Sequence, residues 1–154
     1  MREIKFRSWD KQSHIWLDDD EYVIKPDSGT VSEIDYADGY VVIVADNHDA
    51  VIEQYTGLKD KNGVEIYEGD IVHVQSHLYK DHIGAIIWLQ GTASFCISDN
   101  TNKFNIPRPL GIQFSYEVIG NVHENADLLN DTDRISPDDI GNDIHEFLHG
   151  GEIK

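Results

Sequence analysis

Residues 54–72, with the sequence QYTGLKDKNGVEIYEGDIV, decide the fold of this chain. Short apolar runs alternate here with three glycines, Gly57, Gly63 and Gly69, each at a position where a tight turn needs a positive φ or a close approach of two chain segments. The Asn-Gly step that ends in Gly63 is a typical hairpin turn. The stretch therefore predicts a β-hairpin that leads into a further strand. Its apolar residues are the candidate core: Tyr55, Ile66, Tyr67, Ile71 and Val72.

The residues that follow continue this pattern of short strands. Apolar runs at 83–89, 94–97 and 116–122 have the composition of strands, and Gly120 interrupts the last of them. Four or five short strands in about 65 residues, with glycine at the bends, are typical of a small closed barrel. We therefore predict a β-barrel domain over residues 54–122.

The region before the barrel, residues 1–53, also has the pattern of β structure. Residues 4–9 alternate with period two, which predicts a half-buried strand with Ile4, Phe6 and, at the end of the run, Ser8 on one face. A turn at residues 10–13 then leads into the return strand of a hairpin. Turn signals rich in Pro, Gly and Asp separate three further predicted strands, at residues 22–24, 30–34 and 40–45.

The pattern becomes helical in the last region, residues 123–154. Residues 124–129 predict one or two helical turns, and Ser136-Pro137 is a typical helix start, with serine as the N-cap and proline at the first position. An apolar stripe at helical spacing follows: Ile140, Ile144, Phe147 and Leu148. The chain is therefore predicted to be mainly β, with an N-terminal β-hairpin and strand region, a small barrel and a short C-terminal helix.

The charge of the chain is strongly negative and unevenly distributed. The 154 residues include 12 Lys plus Arg and 29 Asp plus Glu, which gives a formal charge of −17. Residues 17–53 carry a net −10 and residues 123–154 a net −7, whereas the barrel region, residues 54–122, carries only −2. Phosphate neutralisation needs a concentration of Lys and Arg, so direct nucleic-acid binding is not expected.

Two further features limit the class of protein. The N-terminal residues MREIK contain no apolar signal core, and the longest apolar run, at residues 40–45, is far too short to span a membrane. We therefore expect a cytoplasmic protein without a membrane partner. The single cysteine, Cys96, excludes an internal disulfide framework and a zinc cluster built on thiolates.

One segment of the predicted C-terminal helix matches a metal-binding pattern. His145, Glu146 and His149 fit H-E-x-x-H, in which two imidazoles share a helix face and the glutamate can activate a bound water. A third ligand would normally come from well downstream, and only five residues remain after His149. The adjacent apolar stripe also favours a helix that packs on the barrel. A zinc hydrolase therefore stays a remote alternative, and no metal site is predicted.

The rest of the sequence offers no catalytic constellation. His73, His77 and His82 are spaced too widely for one compact strand, so we predict exposed loop histidines. Neither a G-x-S-x-G elbow, a P-loop nor a dinucleotide-binding fingerprint occurs. We therefore predict no catalytic residue, no cofactor and no enzymatic activity.

Three segments together resemble one known family. Residues 2–10, 54–72 and 116–129 are similar, in the same order, to the YopX family of phage and prophage proteins. The resemblance extends over roughly residues 1–130 and implies an SH3-like barrel, an oligomeric protein and a phage or prophage origin, with an uncharacterised molecular function. The motif residues have mainly structural explanations: Trp9, Tyr55, Gly57, Gly63, Tyr67, Gly69, Asp70 and Gly120.

Two functional hypotheses follow. The first is a non-enzymatic interaction or assembly protein that forms homo-oligomers in the host cytoplasm, with a host protein as a possible partner. It rests on the family resemblance and on an excess of N-terminal aromatic residues, some of which should be exposed unless a partner covers them: Trp9, Trp16, Tyr22, Tyr36 and Tyr40. The second is an acidic decoy that imitates DNA and occupies a basic host protein.

Overall fold

A computed structural model describes residues 1–78, 80–98 and 107–130 of the chain. The chain divides into two compact units, Met1–Tyr55 and Thr56–Lys154. Within the described residues, no helix is long and apolar enough to cross a membrane.

The first unit consists of antiparallel strands. β1 pairs on one side with β2 and on the other with the first half of β6, and β3, β4 and β5 form a separate meander. The strands are β1 (Phe6–Asp10), β2 (Ile15–Trp16), β3 (Tyr22–Ile24), β4 (Val31–Ala37), β5 (Tyr40–Asp46) and β6 (Ala50–Lys59).

Two features stabilise this unit around the first hairpin. Trp9 is buried and meets Trp16 edge to face, with ring centroids 5.0 Å apart, an arrangement that contributes beyond its buried area. Asp10 closes the turn, since its Oδ1 accepts hydrogen bonds from the backbone N–H groups of Gln12 and Ser13 at 2.8 and 3.1 Å. The sequence of the turn therefore fixes the register of β1 and β2.

The second unit contains a curled, half-barrel sheet of five antiparallel strands. Their order in the sheet is β11-β10-β9-β8-β12, and β12 has a bulge between Val118 and Gly120. The strands of the unit are β7 (Glu65–Tyr67), β8 (Asp70–Gln75), β9 (His82–Leu89), β10 (Ser94–Ser98), β11 (Arg108–Pro109) and β12 (Ser115–Asn121), and a 3₁₀ helix follows at Ala126–Asn130.

The core of this unit is formed by short strands that are rich in Ile and Val. Its fully buried side chains each contribute roughly 1.5–3 kcal/mol of burial energy. The main cluster is Ile66, Val72, Val74, Ile86, Ile97 and Tyr116. A second cluster of Ile71, Ile83 and Leu128 attaches the 3₁₀ helix to the sheet.

The prediction of a mainly β chain is confirmed, and the SH3-like character of the barrel stays a prediction. The predicted turns at residues 124–129 correspond to the 3₁₀ helix at Ala126–Asn130. Of the residues predicted to share one face of the first strand, Ile4 precedes β1 and is exposed, Phe6 is exposed, and Ser8 is fully buried. The predicted C-terminal helix lies outside the described residues.

Candidate functional site

The most unusual surface of the molecule is the β4–β5 hairpin. Asp38 and Gly39 form its two-residue turn, with φ values of 52° and 82°. Positive φ at both central residues is the mark of a type I′ turn, which matches the right-handed twist of the two strands it joins. Ala37 and Tyr40 therefore face each other directly across the end of the hairpin. We call residues 34–46 the hairpin arm.

The hairpin arm exposes apolar side chains on both of its faces. Every residue of β5 is exposed, although the strand begins with six uncharged, mostly apolar residues. Tyr40 is 74% exposed and Val44 62%, and on β4 Tyr36 is 61% exposed. Successive side chains of a strand point to opposite faces, so neither face is covered. The exposed apolar side chains of the arm are Tyr36, Tyr40, Val41, Val42, Ile43 and Val44.

The base of the arm is held firmly, in contrast to its tip. Ser32 is fully buried, and its hydroxyl donates a 2.6 Å hydrogen bond to Oδ1 of Asp46. Lys25 Nζ lies 2.8 Å from the same oxygen. These two donors, the Lys25 ammonium first, hold the pKa of Asp46 below its ordinary value. The arm is therefore an ordered element with a fixed attachment.

The sequence motif at residues 54–72 has structural roles in its described contacts. Gly57, Gly63 and Gly69 have φ values of 90°, 83° and 79°, which L-residues with side chains rarely adopt. At Gly120 the restriction is spatial, because an added Cβ would lie 2.7 Å from Oδ1 of Asn125. These glycines are therefore required by the fold.

Asp60 connects the hairpin turn of this motif to a distant strand. Its Oδ1 accepts hydrogen bonds from the N–H groups of Asn62 and Val64 at 2.8 and 2.9 Å, and its Oδ2 accepts one from Val118 at 2.9 Å. Burial alone would raise the pKa of Asp60, but the backbone donors outweigh it, so the pKa lies below its ordinary value. The carboxylate therefore accepts three backbone hydrogen bonds, which join its own turn to β12.

The remaining motif residues are also part of the packed interior. Asp70 is 2% exposed, and its Oδ2 accepts a hydrogen bond from the Tyr67 N–H at 2.8 Å. Trp9 and Tyr55 are buried, each in the first unit, and Tyr67 is half-buried. The motif therefore brings together turn and core residues.

The histidines of the second unit differ from the prediction. His73 and His82 lie in strands β8 and β9, and His82 is only 2% exposed. Arg108 Nη2 is 2.7 Å from Nε2 of His82, and His73 Nε2 is 3.3 Å from Oδ2 of Asp81. The prediction of exposed loop histidines is therefore wrong for these two, because burial and polar neighbours fix them within the sheet.

Metal-binding groups are not found in the part of the chain that the structure describes. There, no three His, Cys, Asp or Glu residues cluster in a way that could hold an ion. The H-E-x-x-H residues His145, Glu146 and His149 lie outside the described residues. Their role stays a matter of the sequence alone.

Comparison with known proteins identifies a family and a shared fold. The family model described as YopX protein matches residues 5–130. Protein EF1440 from Enterococcus faecalis is 30% identical, with 84% of this chain and 99% of that chain covered and a TM-score of 0.48. Protein yopX from Bacillus subtilis is 22% identical, with 83% and 98% covered and a TM-score of 0.54, a similarity of fold. No curated protein matches the chain.

Proposed function

Because the chain belongs to the YopX family, we propose that it is a non-enzymatic assembly protein of phage or prophage origin that acts as a homo-oligomer in the host cytoplasm. The observation that supports this proposal is the hairpin arm, an ordered element with apolar side chains exposed on both faces. Solvent contact of this kind is costly, and a partner subunit would remove it.

The size of the exposed surface favours a protein partner. From their fractional exposure, the six apolar side chains of the arm present on the order of 600 Å² to solvent, as large as the largest apolar patch of a typical monomer. A stable interface buries about 800 Å² on each partner. Because this surface is divided between two opposite faces, the arm would supply part of the surface that one subunit contact needs.

The absence of an enzymatic role is supported by the state of the motif carboxylates. The described contacts of Asp60 and Asp70 are hydrogen bonds with backbone N–H groups that close turns. A general acid or base needs a carboxyl group that can reach a substrate proton. These two are used by the fold instead.

Light scattering on matched variants tests this function. We expect the wild type to self-associate at tens of micromolar, and a Tyr40→Ser/Ile43→Ser double variant to shift toward the monomer because it removes two large exposed apolar side chains. Ile112→Ser is the control, since Ile112 is 94% exposed outside the arm. A wild type that is strictly monomeric at these concentrations would contradict the proposal.

A second candidate function, the acidic decoy, is favoured by the placement of the charges. The range 17–53 contains eleven acidic residues and a single basic one, Lys25. Ten of the acidic residues are exposed, and only Glu53 is buried. A pull-down from host lysate at low and high salt tests it. A basic partner released by salt would support the decoy, and a gel shift with nucleic-acid probes should show no binding.

A further inference from the structure

The outer edge of β5 presents unused backbone groups. In the described part of the chain, β5 is the last strand of its sheet, with β4 on its only paired side. The N–H of Ile34 donates a hydrogen bond to the C=O of Glu21, which directly precedes β3. The backbone N–H and C=O of the next residue, Asp35, therefore point the other way, toward β5, where Asp35 pairs with Val42. Since directions alternate along a strand, Val42 faces β4, whereas the N–H and C=O groups of Val41 and Ile43 point to the free edge.

This edge lacks the devices that normally prevent strand addition. Natural edge strands carry lysine, proline, bulges or inward-pointing charges. Residues 40–45 contain no charge, no proline and no glycine, and the irregularity in the β4–β5 pairing lies beyond Ile43 toward the base. Glu33 pairs with Ala45 and Ile34 with Ile43, so Val44 is the extra residue of this irregularity, and the edge is open for pairing over residues 40–43.

The distribution of apolar side chains favours pairing at the edge over packing on one face. A partner that packs against one face of the arm would leave the other face in water. A strand added at the edge extends both faces together, because its side chains alternate in the same way. Both faces of β5 are exposed and apolar, so a strand added at the edge makes lateral side-chain contacts on both faces, whereas a partner packed on one face contacts that face alone.

The segment is also complementary to itself. In an antiparallel pairing centred on Val42, Val41 lies opposite Ile43 of a second copy, and Ile43 lies opposite Val41 of that copy. The four outward backbone groups of Val41 and Ile43 then meet their counterparts in hydrogen-bonded pairs. Such a contact uses the same patch on both subunits, as a two-fold interface requires.

We propose that β5 pairs antiparallel with β5 of a second copy of this chain, with Val42 on the two-fold axis, to form a continuous sheet across the dimer. This rests on the proposed homo-oligomeric function and specifies its contact. Beyond the apolar segment, Asp38 of one copy approaches Asp46 of the other. Lys25 already lies 2.8 Å from the Asp46 carboxylate, which compensates part of the charge there.

Cysteine cross-linking tests the register. In a pair that is not hydrogen-bonded, directly opposite Cβ atoms are about 4.5–5.5 Å apart, so Val42→Cys should form an intersubunit disulfide under mild oxidation. Tyr40→Cys is the control, because two copies of residue 40 would be separated by about 13 Å, four residues of strand. The wild type, whose Cys96 is buried, gives the background. Cross-linking of Ile43→Cys but not of Val42→Cys would overturn the proposed pairing.

Proline substitution tests the hydrogen bonds themselves. Val41→Pro removes an N–H that points to the free edge, so it should weaken self-association by about tenfold or more while the thermal midpoint stays close to that of the wild type. Unchanged association of a folded Val41→Pro variant would contradict the edge pairing. A wild type that forms oligomers without Val42→Cys cross-linking overturns only this pairing, whereas a monomeric wild type overturns the proposed function as well.

Discussion

Replacement of Asp60 by alanine should destabilise the second unit more than any surface substitution. The side chain is 7% exposed and accepts three backbone hydrogen bonds, two within its own turn and one from Val118 on β12. The variant would leave those three N–H groups without this acceptor. Hydrogen bonds to a charged group contribute about 1.5–3 kcal/mol each, and partial rehydration recovers some of that. We therefore expect the free energy of unfolding to fall by about 3–5 kcal/mol.

Asp60→Asn should have an intermediate effect. One side-chain oxygen can still accept the hydrogen bonds from Asn62 and Val64, but the amide nitrogen then faces the Val118 N–H, donor against donor. The loss of this one bond should cost roughly 1.5–3 kcal/mol. Asp49→Ala is the control, because it removes one exposed carboxylate and should change stability by less than about 0.5 kcal/mol.

The assay is urea unfolding followed by circular dichroism, repeated between pH 7 and pH 3. The pKa of Asp60 is lowered in the folded state, so its contribution is fully present above the unfolded pKa of about 3.9 and is lost as the pH falls through the folded value. The difference between the wild type and Asp60→Asn should therefore shrink below about pH 4. A loss of less than about 1 kcal/mol for Asp60→Ala at pH 7 would refute this account of the turn.

Three further results are expected. Gly120→Ala should lower stability by about 1–3 kcal/mol in thermal unfolding because its Cβ would lie 2.7 Å from Asn125 Oδ1, whereas Gly91→Ala, with no atom within 4 Å, should be close to neutral. Added salt should strengthen self-association measured by light scattering, because each copy carries a charge of −17 and salt screens the repulsion between copies. Self-association that becomes weaker with salt would count against an apolar contact. Metal analysis of protein purified without a histidine tag should show no stoichiometric zinc in either the wild type or His149→Ala. If the wild type held one zinc per chain and His149→Ala held none, the zinc hydrolase would again be a candidate.

The strands of this chain could be predicted from sequence because their signals are local. Alternating residues and turn dipeptides predict β3 at Tyr22–Ile24 and the start of β5 at Tyr40, as the structure has them. The burial of β1 could not be predicted this way, since Phe6 and Ser8 lie on the same face of the strand and yet Phe6 is exposed and Ser8 fully buried. The bond between Asp60 and Val118, 58 residues apart, is likewise a product of tertiary structure.

The candidate site shows the same limit more clearly. A run such as residues 40–45 normally indicates a buried strand, because apolar residues on both faces are typical of a sheet covered on both sides. The structure instead leaves the whole of β5 exposed. The aromatic excess in the N-terminal region predicted only that some of its members are exposed. Tyr36 and Tyr40 are exposed, whereas Trp9 and Tyr22 are buried. The valines of β5 had no such signal. Only the absence of a covering element in the described fold identifies them as a surface.

Self-association through the hairpin arm is tested directly by sedimentation velocity of the untagged wild-type chain. The measurement covers about 1 to 100 µM, a range that spans the affinities of typical interfaces. We expect a species of at least two 17.5 kDa chains, whose fraction grows with concentration. The same series for Val41→Pro should stay predominantly monomeric. A single 17.5 kDa species of the wild type throughout the range would contradict self-association through the hairpin arm.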